Sequence, residues 1–213
     1  MKIVLIGATG FIGSFVLKEA LNRDHEVTGL SRHPERLPED INLSGVRADI
    51  MNVDETSKLL KGHDAVISTF NPGWGNPDIY ELYIKGIRNI IDEVKESGVK
   101  RLLVVGGAGS LEVKPGVQLV DTPGFPAEYK EGALAAREAL NIFRNENDLD
   151  WTFLSPSIIL QPGTRTGQFR YDADKLIFNK DGESKISTED LAVAIIDEIE
   201  KPRYIKKRFT VGY

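Results

Sequence analysis

The chain has 213 residues, a formal charge of −5 from 27 basic and 32 acidic side chains, and no cysteine. The length suits one large domain, because two would each have a thin core, and the acid excess argues against a nucleic-acid surface, which needs a basic face to displace counterions. Without cysteine there is no disulfide, thiolate nucleophile or cysteine metal site.

Ile3–Ile6 opens the chain as an apolar run without alternation, the pattern of a strand buried on both faces. It is far too short for a membrane span or a secretory core, so the expectation is a cytoplasmic protein with no membrane partner. Phe11–Leu21 follows with Phe15, Val16, Ala20 and Leu21 near helical spacing, then strands at His25–Leu30, Val46–Ala48 and Ala65–Ile67. Asp78–Ser97 carries Leu82, Ile84, Ile87, Ile90, Ile91 and Val94 on a helical period. A strand at Leu102–Val105 precedes the helix Glu128–Arg144, with Ala133, Leu134, Ala136, Leu140 and Phe143. Leu149–Leu154 reads as a sixth strand. Ser187, with Asp190 three residues on, caps a last helix that stops at Lys201-Pro202, and Arg208–Val211 is a final strand. This alternation predicts an α/β, doubly wound, mostly parallel sheet in one domain over 1–213. The looser stretches at about 71–77, 108–126 and 161–183 follow strand ends, where open α/β sheets bind ligands, and are expected to wall the substrate side.

Gly7-Ala8-Thr9-Gly10-Phe11-Ile12-Gly13 is a GxxGxxG pattern lying between a strand and a helix. In that context the first glycine permits the turn, the second admits a pyrophosphate, and the third lets helix and strand pack closely. The helix N-terminus supplies free N–H groups and the positive end of its dipole. The pattern predicts a dinucleotide, with its phosphates on Gly7–Gly13. At the end of the second strand stands Arg32, where a site specific for NAD would place an acid; a cation there suits a 2′-phosphate, so NADP(H) is preferred and NAD(H) is the alternative. Asp49, after the third strand, is either a partner for the adenine amine or a turn residue.

Gly7–Gly13 (GATGFIG), Val104–Gly109 (VVGGAG), Trp151–Pro156 (WTFLSP) and Ile186–Asp190 (ISTED) together resemble the atypical short-chain dehydrogenase/reductase families, and most of all the NmrA-like NAD(P)H-binding group that includes NADH-flavin reductases; biliverdin reductase B is a more distant likeness. The resemblance implies a Rossmann core with a small C-terminal substrate lobe. It also implies cofactor contacts from Gly7, Thr9, Gly10, Phe11, Ile12, Arg32, Asp49, Phe70, Asn71, Gly106 and Gly107, with Pro156 and Ser157 near the nicotinamide. The chain departs from the wider pattern at the catalytic centre. Gly106-Gly107 replace the usual Ser or Thr, and Tyr129 has no lysine at 133. Tyr171–Lys175 has the Tyr-x-x-x-Lys spacing but lies past the sixth strand, and reads as a chance match.

Three functions compete. The first is an NAD(P)H-dependent oxidoreductase that passes hydride to a flavin or quinone-like small molecule. Such a reaction relies on ring alignment more than on a side-chain acid, and Trp74, Phe125 and Tyr129 could form its stacking pocket. The second is a non-catalytic NADP-binding regulator or sensor. The third is a sugar-nucleotide epimerase or dehydratase, ranked last because it needs the Tyr/Lys pair and a longer C-terminal lobe. Ser110 and Tyr129 are the candidate catalytic groups. His25, His33 and His63 show no spacing for a metal. The expected assembly is a monomer or homodimer.

Overall fold

The computed structural model describes residues 1–52 and 56–213. In chain order the first half contains β1 (Lys2–Ile6), α1 (Phe11–Asn22), β2 (Glu26–Ser31), β3 (Leu43–Arg47), α2 (Thr56–Leu60), β4 (Ala65–Ser68), α3 (Ile79–Ser97) and β5 (Arg101–Val105). The second half contains β6 (Glu112–Lys114), β7 (Val117–Gln118), α4 (Ala127–Arg144), β8 (Asp150–Ser155), β9 (Ile159–Gln161), β10 (Arg170–Asp172), β11 (Lys185–Ser187), α5 (Thr188–Glu200) and β12 (Lys207–Gly212).

Eight strands form the central sheet in the order β10-β12-β8-β5-β4-β1-β2-β3. All neighbours run parallel except β10, which lies antiparallel on the outer edge of β12. β1 sits between β2 and β4, so the chain winds outward in opposite directions from β1 and β4. A crevice opens at that switch point, beyond the carboxyl ends of the strands.

The continuous apolar runs are buried on both faces because helices cover both. Alternate residues of one strand go to opposite cores. Val4, Val66, Leu102 and Phe153 pack with α3 and α4, and Ile3, Ala65, Leu103 and Leu154 pack with α1 and α5. α5 begins as expected: Ser187 Oγ accepts the Asp190 N–H at 3.0 Å. The apolar pattern does not predict the short strands β6, β7, β9, β10 and β11. The β6–β7 hairpin turns at Pro115-Gly116, where Gly116 has φ +76°, and that dipeptide is a legible turn signal. β10 has only three residues and takes its strand character from β12.

Candidate functional site

The glycine loop is shaped by contacts that exclude side chains. Gly7 ends β1 with φ +83°, and a β-carbon there would stand 2.8 Å from Thr69 Oγ1. The Thr69 hydroxyl donates to the Ile6 carbonyl at 3.1 Å and bridges the loop to the end of β4. A β-carbon on Gly13 would stand 2.0 Å from the Gly7 carbonyl oxygen, so α1 can butt against β1 only with glycine there. Gly10 caps α1 with its own N–H donating to Gly7 O at 2.9 Å. Among the described residues no side chain caps α1, and its first turn carries no acid. Gly7, Thr9, Gly10, Phe11 and Ile12 line a cleft of about 930 Å³. The cradle fits a pyrophosphate: it is stripped of β-carbons, bordered by unsatisfied N–H groups and free of negative charge.

One end of the cleft is built by β2 and β3. The Thr9 and Ser31 hydroxyls share a hydrogen bond at 2.6 Å, and Ser31 Oγ also accepts the His33 N–H at 3.0 Å. This ties the glycine loop to the end of β2 and places Arg32 at the rim. The Arg32 side chain is exposed, lines the cleft and has no partner among the described residues. Its carbonyl, by contrast, takes a hydrogen bond from Arg47, whose guanidinium is also paired with Glu35. Asp49 lines the same end; its Oδ1 accepts the Met51 N–H at 3.0 Å, so the carboxylate holds a turn and still has an oxygen to offer.

The middle of the cleft is lined by Phe70, Asn71, Gly106, Gly107, Pro156 and Ser157. Phe70 stacks on Tyr83 with 6.2 Å between ring centroids, and its edge fills the space a β-carbon on Gly86 would need. Burial pushes the Tyr83 phenol up, so it stays neutral. Asn71 Oδ1 accepts the Gly73 N–H at 2.7 Å. The Ser157 hydroxyl donates to Val211 O at 2.7 Å, which commits its proton to the fold.

The far end is aromatic. Trp74 and Tyr129 meet edge to face at 5.6 Å, are 51% and 47% exposed, and line the cleft with Phe125 and Ile158. Their support is a stripe of small residues on α4, Gly132, Ala133 and Ala136, which repeats at helical spacing from Tyr129. In sequence that spacing looks the same as the core face of any amphipathic helix. Ala133 is buried against Gly109, close enough that a β-carbon on Gly109 would lie 2.8 Å from its Cβ. Among the described residues the cleft wall has no lysine and no histidine, and its only ionised side chains are Arg32 and Asp49.

Several sequence expectations need correction. Ser110 is 1% exposed and away from the cleft wall; Arg208 Nη1 donates to its Oγ at 2.9 Å and to its carbonyl at 3.0 Å. It is a structural hydroxyl, since a buried guanidinium from β12 needs acceptors. Gly13 does not line the cleft; it serves the helix–strand contact. The segment 161–183 supplies none of the described lining, which comes instead from Pro156 to Leu160. That segment is drawn away by Arg165, whose Nη2 donates to Glu19 at 2.7 Å, and by Asp190, which accepts the N–H groups of Thr166 and Gly167 at 2.8 Å each. Tyr171, on β10, packs between Phe169, Tyr204, Phe209 and the Arg203 guanidinium, away from the cleft. Metal-binding groups of three or more His, Cys, Asp or Glu are absent among the described residues. No described helix is long and apolar enough to cross a membrane.

Comparison with known proteins agrees with this geometry. A family model described as NAD(P)H-binding matches residues 7–202. The uncharacterized protein YwnB of Bacillus subtilis (strain 168) is 39% identical over 99% of this chain and 98% of its own. A crystal structure from Bacteroides thetaiotaomicron, described as a "putative epimerase", is 48% identical with a TM-score of 0.94, covering 100% of this chain and 96% of that one. A Streptococcus pneumoniae structure, described as a "putative NADH-flavin reductase", is 36% identical with a TM-score of 0.87, covering 100% and 99%. With a matching family model over nearly its whole length and a glycine cradle at the switch point of its sheet, the chain belongs to the NAD(P)H-binding family, on a Rossmann-type fold.

Proposed function

We propose that this protein is an NADPH-dependent reductase that passes hydride to a planar apolar acceptor of the flavin or quinone type. The observation that carries this reading is the far end of the cleft, where Trp74, Phe125 and Tyr129 stand beside a helix face of glycine and alanine. Gly7, Gly10 and the first turn of α1 would hold the pyrophosphate, and Arg32 the 2′-phosphate. When bound, the nicotinamide supplies the hydride. The protein contributes alignment: Gly106 and Gly107 leave the floor flat, and Phe70, pinned between Tyr83 and Gly86, sets the wall. A positioned ring pair needs little acid–base help, because orientation carries most of the rate. The proton that completes two-electron reduction of a flavin or quinone can come from water.

The epimerase description of the Bacteroides relative does not transfer easily to this chain, because Ala133 occupies the place of the lysine that an acid–base tyrosine requires. A binding-only sensor would not need half-exposed aromatic rings facing the cofactor cleft, and such a patch usually marks a ligand surface. The test is anaerobic NADPH oxidation with riboflavin or menadione, beside incubation of the protein and oxidised cofactor with a UDP-sugar followed by analysis of the sugar for epimer or dehydrated product. Turnover with a flavin or quinone and none with the sugar nucleotide is expected. Tight NADPH binding with no acceptor supporting oxidation would make the protein a sensor.

A further inference from the structure

The charges of the cleft are segregated, and this bears on which acceptor it takes. Arg32 and Asp49 both sit at the β2–β3 end. At the opposite end the described wall is Trp74, Phe125, Tyr129, Ile158 and the small residues of α4, with no ionised group. The mouth is apolar as well: Phe11 is 54% exposed and Ile158 48% exposed, and both border the cleft. The glycine cradle at the N-terminus of α1 is taken up by the cofactor in the reductase reading. We infer that the acceptor subsite selects uncharged planar rings and discriminates against acceptors bearing a phosphate or sulfonate. This inference rests on the reductase reading and narrows its substrate class.

The physical reason is desolvation without compensation. A phosphate monoester brings close to two negative charges at neutral pH. Entering this end it would lose hydration and meet no cationic side chain on the described wall, and the two helix N-termini there, those of α3 and α4, already carry the acids Glu81 and Glu128 in their first turns, while it would lie in the same cleft as the cofactor's own phosphates. An isoalloxazine or naphthoquinone ring without that group covers the exposed faces of Trp74 and Tyr129 at no such cost. FMN and riboflavin share one ring system, so comparing them isolates the charge.

The experiment is equilibrium binding of riboflavin and FMN to the protein loaded with NADP⁺, by calorimetry and by quenching of Trp74 fluorescence. Trp151, the other tryptophan, is 3% exposed in the core and supplies a constant background. Riboflavin should bind at least about tenfold more tightly than FMN. Trp74→Phe should remove the quenching and leave the calorimetric preference. Ile158→Lys should bring FMN up towards riboflavin, because it places a cation at the rim. FMN binding as tightly as riboflavin would overturn charge selection and leave the reductase reading intact. If neither flavin binds and menadione does not support NADPH oxidation, the reductase reading itself fails.

Discussion

The indole of Trp74 lies over Gly132 so closely that a β-carbon at 132 would stand 2.5 Å from its Cζ3. The loop carrying Trp74 therefore finds its seat on α4 through a missing side chain. Gly132→Ala would favour the helix by about 1 kcal/mol while pushing the indole off. The expected outcome is a folded protein with unchanged thermal stability or a small gain, unchanged NADPH affinity, and flavin affinity reduced about two- to tenfold. Calorimetry with each ligand in turn separates the two. Loss of NADPH affinity would mean that Trp74 supports the cofactor rather than the acceptor.

Gly10 and Gly13 should fail in different ways. Gly10 is the N-cap of α1 at φ −77°, with only Gly7 O near its absent β-carbon, at 3.1 Å. Gly10→Asp supplies a favourable capping carboxylate, so the variant should fold at least as stably as the parent yet lose NADPH binding to charge and bulk. Gly13→Ala collides with backbone, which cannot swing aside, and should lower stability by about 1–3 kcal/mol or more. Denaturant unfolding and NADPH titration of both variants check this. A Gly10→Asp protein that still binds NADPH would place the phosphates elsewhere.

Arg32 has no partner among the described residues, so its charge is available to a ligand. Reversing it with Arg32→Asp should remove a charge-assisted contact worth about 1.5–3 kcal/mol. NADPH should weaken about ten- to a hundredfold, and NADH should be spared or improved. Dissociation constants for both cofactors in parent and variant measure the switch. Equal values for the two cofactors in the parent would contradict a 2′-phosphate role.

A tyrosine acid is not expected. Tyr129 lies in the cleft but its helical neighbour is Ala133, and Tyr171 stacks on Tyr204 and Phe209 away from it. Tyr129→Phe and Tyr171→Phe should each keep most of kcat with a flavin acceptor. Removal of a true general acid typically costs about 10²–10⁴-fold. Gly107→Leu, which fills the floor where Ala136 Cβ already stands 3.3 Å from an added β-carbon, should cost far more. A collapse of kcat in Tyr129→Phe at unchanged NADPH affinity would restore that residue as an acid.

Acid should loosen the contact between α1 and the segment carrying Arg165. Burial by itself would raise the Glu19 carboxyl, but hydrogen bonds and charge from Arg165 and Arg23 outweigh it and hold the group below the ordinary glutamate value of 4.5. A lowered folded pKa contributes stability that is complete above the unfolded value and disappears as pH falls through the folded one. Glu19→Gln should therefore cost about 1–3 kcal/mol at neutral pH, and the difference from the parent should shrink below about pH 4.5. Urea unfolding of both proteins across that range reads it out.

What the sequence determined by itself is local. Within Ile3–Leu21 a strand, a turn and a helix follow one another, and each glycine of GxxGxxG answers a steric demand made by residues a few positions away. The cradle and its cofactor class are therefore legible without a structure. The same holds for the main strands, whose unbroken apolar runs state that both faces are covered, and for Ser187, whose cap partner is three residues on. What the tertiary structure decided are choices between distant partners. Ser110 stands near the fifth strand as a free hydroxyl in sequence, yet Arg208 takes it from 98 positions away. Segment 161–183 has a loop's composition, but Glu19 and Asp190 pull it from the cleft. Tyr129, Gly132, Ala133 and Ala136 read as one helical stripe among several, and only the approach of Trp74 and Gly109 turns that stripe into a wall. Steric demands within a turn are written in neighbouring residues, whereas the partner of a hydroxyl or a ring depends on which segments the sheet brings together.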